Sequence, residues 1–263
     1  MKSIKPGVLL TALFLTACGG GGGGGGGDDR APAQTTTPVQ TDNGNTNNGN
    51  TNTGNTNTGN TNTGSTPETP SQAPASLATG GTLSGYTYTT PQGFAYTMRG
   101  TGISAGYVQT QRLVRTDGTP VSATSWCCGR MSYTTFGTWT SFETGQHDVF
   151  YTGDATAVAN VPTQGTATYV GNGLRESNRS DATFNIDFGA KTINGNIAAS
   201  DTFGSAVTMQ GNIANGGFSG NAQSGGQNGT FVGHFNGPAA QELGGLAQFA
   251  DSSKNASFGA TRQ

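Results

Sequence analysis

Glycine content is the feature that most constrains how this chain can fold, because 45 of its 263 residues are Gly. A long-helix or coiled-coil protein would instead need to be rich in Ala, Glu, Lys and Leu, so this class is excluded. Collagen is excluded because the glycines follow no strict three-residue period. Only 10% of residues are charged, the formal net charge is −2 and no Lys/Arg cluster is present, which excludes a basic nucleic-acid-binding protein. Two classes remain, disordered low-complexity sequence and a Gly/Thr-rich β-protein, and the chain contains both in succession.

The N-terminus has the features of an export signal. Two lysines precede a ten-residue apolar run, 8–17, which is too short to span a membrane and is typical of a signal peptide. The run ends in Leu-Thr-Ala before Cys18, which resembles a bacterial lipoprotein signal; an ordinary secretory signal with an unrelated Cys is the alternative. We predict a signal peptide over residues 1–17 and lipidation of Cys18, whose several acyl chains would give stable anchoring. Gly19 follows the Cys and favours the outer membrane.

A low-complexity segment follows the signal and extends to residue 79. It contains nine consecutive glycines, 19–27, and then a five-residue Gly/Asn/Thr repeat over 44–64. Neither part has apolar side chains whose burial would offset the loss of chain entropy, so residues 18–79 are predicted to be a disordered tether. A Gly-rich coil of this length has an end-to-end distance of about 45 Å, enough to hold a folded domain away from a membrane.

The folded part begins near residue 80 and has the pattern of β-strands. Phe184, Ile186 and Phe188 alternate with polar residues, and similar stretches recur about every 8–12 residues between Gly/Asn turn clusters. This spacing predicts an antiparallel sandwich or barrel. Glycine alternates with large residues at the core-facing positions, which favours a narrow closed barrel filled by its own side chains. The outward positions are polar, so we predict a soluble barrel rather than a membrane-spanning pore.

Several stretches of the folded part resemble one known family. They are MSYTTFGTW (131–139), PTQGTATYVGNG (162–173), FNIDFGAKTINGNI (184–197), GGFSG (216–220), GTFVGHFNGPAAQELGG (229–245) and FGATRQ (258–263). In this order, behind a lipoprotein-like signal and a Gly-rich tether, they are similar to the β-barrel of transferrin-binding protein B and its relatives, which include factor H-binding protein, heparin-binding antigens and hemophilins. Asn236 stands where the family usually has an aromatic residue. The resemblance implies an all-β fold, with an eight-stranded antiparallel barrel over 131–263 and a smaller N-terminal β handle over 80–130.

The resemblance also implies a function. It suggests a lipid-anchored outer-membrane protein, displayed on the cell surface by a dedicated lipoprotein translocator, that binds a host macromolecule or iron source: a transferrin-like protein, haem or a complement factor. In the family the handle and exposed loops usually determine the partner, so handle aromatics are the candidate contacts: Tyr86, Tyr88, Tyr96, Tyr107 and Trp126. Two alternatives remain open, a haem-carrier lipoprotein and a structural envelope lipoprotein without a specific ligand.

Residues suited to catalysis or metal binding are sparse. The chain has only two histidines and no Cys/His spacing typical of zinc sites, so we predict no enzymatic activity, no metal site and no resident cofactor. His234 has the opposite parity to Phe231 and Phe235, and is predicted to be an outward surface residue. His147 is placed in a turn beside aromatic residues and is the candidate axial ligand for haem, with an ordinary loop histidine as the alternative.

Cys127 and Cys128 are adjacent in the sequence. Thiols tend to pair in an oxidising compartment, although neighbouring Cα atoms lie about 3.8 Å apart, closer than in an unstrained disulfide. We predict a vicinal disulfide between them, and two thiols in a strand-end loop are the alternative. A sharper hypothesis makes the pair a rigid hydrophobic knob at a partner interface, together with Trp126 and Met131.

Overall fold

A computed structural model describes residues 73–98, 108–127 and 131–263 of the chain. The predicted signal peptide, the predicted lipidation site and all of the predicted tether before residue 73 lie outside the described residues. Two further residues singled out from the sequence, Tyr107 and Cys128, also lie outside them.

The described part is all β, as its period-two pattern predicts. It has sixteen strands and two single-turn 3₁₀ helices but no α-helix. No helix in this part is long and apolar enough to cross a membrane. The 3₁₀ helices are Val158–Asn160 and Ser252–Lys254. The strands are β1 (Leu77–Ala78), β2 (Thr82–Ser84), β3 (Thr87–Thr89), β4 (Ala95–Thr97), β5 (Gln109–Val114), β6 (Pro120–Cys127), β7 (Thr134–Ser141), β8 (His147–Gly153), β9 (Thr166–Arg175), β10 (Asn178–Asp187), β11 (Thr192–Ile197), β12 (Val207–Ala214), β13 (Gly217–Ser224), β14 (Gln227–Asn236), β15 (Glu242–Phe249) and β16 (Ala256–Arg262).

Eight of these strands, β9 to β16, form a closed barrel, in which each strand pairs antiparallel with the next and β16 pairs with β9. The predicted eight-stranded antiparallel barrel is therefore confirmed. Its interior is filled by large side chains such as Phe184, Phe218 and Phe258, all fully buried. Glycines make room for these rings: a Cβ on Gly195 would lie 2.5 Å from the Phe184 ring, closer than real contacts allow. The alternation of Gly with large residues reflects a narrow barrel packed by its own side chains.

A five-stranded sheet, in the order β1-β8-β7-β6-β5, packs against the outside of the barrel. Its barrel-facing side carries Cys127, Phe136 and Tyr151, which cluster with Leu174 and Leu246 of the barrel. Its other side is covered by a three-stranded sheet, β2-β3-β4, which we call the small sheet. Strands β6, β7 and β8 are consequently buried on both faces, so they lack a simple alternation of buried and exposed positions.

The boundary between handle and barrel differs from the predicted one. The prediction assigned 80–130 to the handle and 131–263 to the barrel. In the structure β7 and β8 pair within the five-stranded sheet, and the barrel strands run from Thr166 to Arg262. The local Thr/aromatic pattern of β7 suits either sheet, and the choice between them depends on long-range pairing that one strand's sequence does not reveal.

Buried hydrogen bonds fix the five-stranded sheet to one end of the barrel. The Glu242 carboxylate on β15 is buried and accepts the backbone N–H groups of Ser132 at 2.6 Å and Tyr133 at 3.0 Å. Asn236, also buried, donates through Nδ2 to Thr134 Oγ1 at 2.9 Å. These buried bonds specify how the sheet and the barrel meet.

Candidate partner-binding surface

Three hairpin turns lie together at one end of the five-stranded sheet. They are the turns over 90–94, 115–119 and 142–146, and we call these turns, with the adjoining Val114, the tip surface. Each turn contains one glycine in the left-handed region that the hairpin geometry requires. These glycines are Gly93, Gly118 and Gly145.

Direct contacts hold the three turns next to one another. Arg115 of the second turn forms an ion pair with Glu143 of the third. The first turn lies beside the third, because a Cβ on Gly80 would lie 3.5 Å from Pro91 and 3.6 Å from Gln146. The tip surface is therefore one continuous part of the molecule and not three separate loops.

The tip surface exposes large apolar side chains. Phe94, Val114 and Phe142 are 43%, 52% and 52% exposed. In the described part of the chain, only Val158 and Val170 are comparable, and they belong to the barrel or the loop that leads into it. Single exposed hydrophobic residues are ordinary, but a group of them at adjacent hairpins is typical of a contact surface for another macromolecule.

Charges of both signs surround the apolar side chains. Arg115 and Glu143 are 57% and 37% exposed, so their ion pair contributes little to stability and is accessible to a partner. The Asp117 carboxylate accepts a backbone N–H at 2.9 Å within its own turn, and this bond lowers its pKa. Beside the tip, His147 Nδ1 lies 3.9 Å from Glu176 Oε1 of the barrel. An apolar centre with a charged rim is the usual composition of a protein interface.

The chain joins the folded part at the end opposite the tip surface. Ala73 packs on the barrel beside Gly217, and the Pro74 carbonyl accepts a hydrogen bond from the Tyr151 hydroxyl. From there β1 runs antiparallel to β8, and the chain then reaches Asp148, next to the third tip turn. Because β8 has seven residues, its two ends are about 20 Å apart. Ala73 thus lies at the end that does not carry the tip surface.

The aromatic residues predicted as partner contacts are not at the tip. Tyr88 and Trp126 are 0% and 4% exposed, so the prediction that they are exposed anchors is wrong. They lie in the core between the small sheet and the five-stranded sheet. Tyr86 and Tyr96 are half-buried, and Tyr107 lies outside the described residues. In this part of the chain the large aromatic residues hold two sheets together.

His234 is also placed differently from the prediction. It is buried, 3% exposed, and not a surface residue. The burial pattern of β14 turns Phe231 and Phe235 inward, and His234 leaves the barrel on the outer side, but Gly216 and the Thr156 carbonyl cover it there. Burial lowers the pKa of His234. The alternation of residues along β14 correctly predicted the outward direction of this side chain. It could not predict that other residues cover the outer wall of the barrel there.

His147 begins β8 instead of lying in a turn, and it is half-buried. Its Nδ1 lies 3.3 Å from Thr140 Oγ1. Two shallow grooves on the barrel wall, of about 530 and 420 Å³, are lined mainly by polar and small strand residues and contain no histidine. Across the described residues, no group of three or more His, Cys, Asp or Glu could hold a metal ion. A role of His147 as haem ligand stays a prediction.

Cys127 is buried in the cluster between the five-stranded sheet and the barrel, and it is disulfide-bonded. Its pairing with Cys128, which lies outside the described residues, stays a prediction. Cys127 and Trp126 are both buried, which contradicts the hypothesis that they form an exposed knob.

The residues that the sequence reasoning missed are Phe94, Val114 and Phe142. Each lies in or next to a turn cluster, as in Pro91-Gln92-Gly93-Phe94. A large apolar residue inside a turn has no strand face on which to be buried, and this is the signal that identifies them.

Comparisons with known proteins agree with this architecture. Residues 145–262 match a family model described as the C-lobe and N-lobe β-barrels of Tf-binding protein B. The chain is similar to the haemoglobin receptor HpuA from Kingella denitrificans in complex with human haemoglobin, with 21% identity, a TM-score of 0.58, and coverage of 72% of this chain and 86% of that one. The apo form of that receptor gives 22% identity, a TM-score of 0.58, and coverage of 74% and 89%. Identities this low show a shared fold.

A second similar structure is the isotype 1 transferrin-binding protein B from serogroup B Neisseria meningitidis. The identity is 25% and the TM-score 0.51, and the match covers 68% of this chain and 39% of that one. The match therefore takes in well under half of that larger protein.

Proposed function

We propose a function that starts from one premise: residues 145–262 of this chain, which contain all eight barrel strands, belong to the family of the transferrin-binding protein B β-barrels. The protein binds a host protein that carries iron or haem, and it does so through the tip surface. The proposal is supported by the similar structures, one of which is a haemoglobin receptor and another a transferrin-binding protein. The protein acts by binding, without enzymatic activity.

One observation carries the proposal: Phe94, Val114 and Phe142 are exposed together at adjacent hairpins. Apolar side chains at the centre of an interface supply most of its affinity when a partner removes them from water. The charged Arg115 and Glu143 beside them would orient the partner and exclude proteins of unsuitable charge.

The position of the chain's attachment leaves the tip surface free for a partner. We propose that Cys18 carries the lipid anchor in the outer membrane, that residues 18–72 act as the tether, and that a lipoprotein translocator exports the protein. Because the chain joins the fold at Ala73, at the end opposite the tip, the point of attachment leaves the tip surface uncovered. A receptor for a soluble host protein needs such an accessible surface.

The haem-carrier alternative has less support. The side-chain partners of His147 are Thr140 and Glu176, at 3.3 and 3.9 Å, where an axial haem ligand would need an aromatic or apolar pocket. Complement factors remain among the host proteins to be tested, because the fold alone does not select the partner.

The test is a direct binding measurement with the full mature protein. It is immobilised and exposed in parallel to purified haemoglobin, iron-loaded transferrin, a complement regulator and free haem. We expect saturable binding of haemoglobin or transferrin that is abolished by prior proteolytic removal of the tip turns. A Soret shift with free haem, together with no binding of any of the proteins, would instead support the haem carrier.

A further inference from the structure

We propose that the small sheet is a latched cover, which opens on its own to expose the tryptophan face of the five-stranded sheet while the barrel stays folded. The proposal does not depend on which partner binds, and the small sheet shares only its β3–β4 turn with the tip surface. It rests on how the small sheet is packed, on four unpaired polar groups of the face on which it packs, and on the one carboxylate that holds it.

The small sheet closes over an aromatic layer. Its strands present one row, Leu83, Tyr88 and Tyr96, which are directly paired across β2, β3 and β4. Tyr88 stacks on Phe150 with ring centroids 4.0 Å apart, and Tyr96 lies over Trp126 at 6.4 Å. These contacts favour the closed position, because they remove apolar rings from water.

The face of the five-stranded sheet on which the small sheet packs contains four buried polar groups without partners. Ser122 Oγ, Thr124 Oγ1, Trp126 Nε1 and Trp139 Nε1 are buried and have no hydrogen-bond partner within the described structure. They lie on one face: the three β6 residues alternate along the strand, and Trp139 is the cross-strand neighbour of Thr124. Native proteins rarely bury such groups unpaired, and four of the seven in the described part of the chain lie on this one face. The loss of hydration of these groups opposes the stabilisation by the apolar contacts. The closed position is therefore only slightly lower in free energy than the open one.

One carboxylate supplies most of the polar hold on the small sheet. Asp148 is fully buried and accepts the backbone N–H groups of Thr79 and Gly80 at 2.8 Å and of Gly81 at 2.7 Å. It also accepts the Tyr88 hydroxyl at 2.6 Å. The chain segment that leads into the small sheet and the centre of that sheet are thus tied to one side chain, which we call the latch.

Two weaker ties hold the far side of the small sheet. The Thr152 hydroxyl donates to the Gly85 carbonyl at 2.9 Å, and the Tyr86 hydroxyl donates to the Tyr133 carbonyl at 3.2 Å. Both are at the β2–β3 turn. Release of the latch therefore frees one side of the small sheet while the turn stays attached.

The open state would expose an aromatic face with a defined chemistry. Trp126, Trp139 and Phe150 supply apolar area, and the two indole N–H groups can only donate hydrogen bonds. Water satisfies these donors in the open state, and any ligand for this face has to bring acceptors such as carbonyl oxygens.

The chain offers a selective probe of this motion, because its two tryptophans are Trp126 and Trp139. Acrylamide quenching of tryptophan fluorescence thus reports this face alone. The first variant is Asp148→Asn, which keeps the size of the side chain but replaces one accepting carboxylate oxygen with a donating NH₂ group. The matched control is Asp187→Asn, on the barrel.

Hydrogen exchange measured by mass spectrometry is the second readout. With Asp148→Asn we expect quenching to increase and amides of residues 82–97 to exchange about tenfold faster, while barrel amides are unchanged. Asp187→Asn should behave as the wild type. The proposal fails if Asp148→Asn speeds the exchange of the barrel amides as much as that of residues 82–97. It also fails if Asp148→Asn leaves tryptophan quenching unchanged.

A second variant tests the unpaired groups and protects against simple misfolding. Thr124→Val replaces an unpaired hydroxyl by a methyl of the same shape, so it should close the small sheet more firmly, with reduced quenching and slower exchange over 82–97. A hydroxyl that mattered for packing or bonding would give the reverse, and faster exchange in this variant would overturn the proposal. Neither readout involves a host protein, so the outcome is separable from the test of partner binding.

Discussion

Gly259 of the barrel and Phe136 of the five-stranded sheet approach so closely that a Cβ on the glycine would lie 2.6 Å from the phenylalanine ring. This contact places a large buried ring of one sheet directly on the backbone of the other. The two parts are packed tightly at this contact, so the second and third turns of the tip surface, which belong to the five-stranded sheet, are carried by a rigid support.

The first prediction concerns this contact. Gly259→Ala should lower the free energy of unfolding by about 1–3 kcal/mol, because the added methyl overpacks the interface. Gly189→Ala is the control, since a Cβ there would meet only the Asp187 carboxylate, at 3.4 Å. Denaturant unfolding followed by circular dichroism gives both values, and equal midpoints for the two variants would contradict the account of the interface.

The second prediction concerns a buried arginine at the barrel end. Arg175 donates to the carbonyls of Lys254, Phe203 and Ser205 and to Ser224 Oγ, at 2.9–3.2 Å. Lysine cannot reproduce this planar set of donors, so Arg175→Lys should cost about 2–3 kcal/mol of unfolding free energy.

The control for this substitution is Arg112→Lys, at an exposed position on β5. We expect it to leave the unfolding midpoint within error of the wild type. A similarly small effect at Arg175 would mean that its hydrogen bonds do not hold the loops at that end of the barrel.

The third prediction is a pH dependence. Burial lowers the folded-state pKa of His234, so the unfolded chain binds the proton more readily. Above the unfolded-state pKa, near 6.5, this histidine does not reduce the free energy of unfolding. As the pH falls below that value, protonation favours the unfolded chain and the free energy of unfolding decreases. Chemical unfolding at pH 7.5 and pH 5.5 should show a smaller loss on acidification in His234→Gln than in the wild type. An acid-induced loss in His234→Gln as large as that of the wild type would contradict this account.

The fourth prediction concerns the adjacent cysteines. Mass spectrometry of the non-reduced protein should find a peptide containing Cys127 and Cys128 that is lighter by two hydrogens than its reduced form. Two thiols open to alkylation would contradict the vicinal pairing, and a cross-link from Cys127 to another chain would replace it.

The sequence was sufficient to predict the barrel because each of its strands has one face in the core and one in water. Phe184, Ile186 and Phe188 show this alternation directly, and parity correctly set the outward direction of His234. The five-stranded sheet was assigned less well, because β7 is buried on both sides and its sequence carries no such alternation.

The candidate site was predicted least well, for a related reason. Tyr88 and Trp126 were chosen as residue types common in interfaces, but a small three-stranded sheet needs large rings to reach its neighbour and uses them as core. The exposed Phe142 lies in a turn, where neighbouring hairpins determine its surroundings. Which hairpins meet at one end depends on strand order, and strand order follows from pairings distant in sequence.

The central claim, that the tip surface binds a host iron-carrying protein, is tested most directly by one pair of substitutions. Val114 and Val158 are almost equally exposed, at 52% and 54%, but only Val114 belongs to the tip surface. The dissociation constant of the full mature protein for haemoglobin or transferrin, whichever it binds, is measured for Val114→Asp and Val158→Asp by surface plasmon resonance. We predict a rise of at least about tenfold for Val114→Asp and no change for Val158→Asp. An unchanged constant for Val114→Asp would contradict the claim.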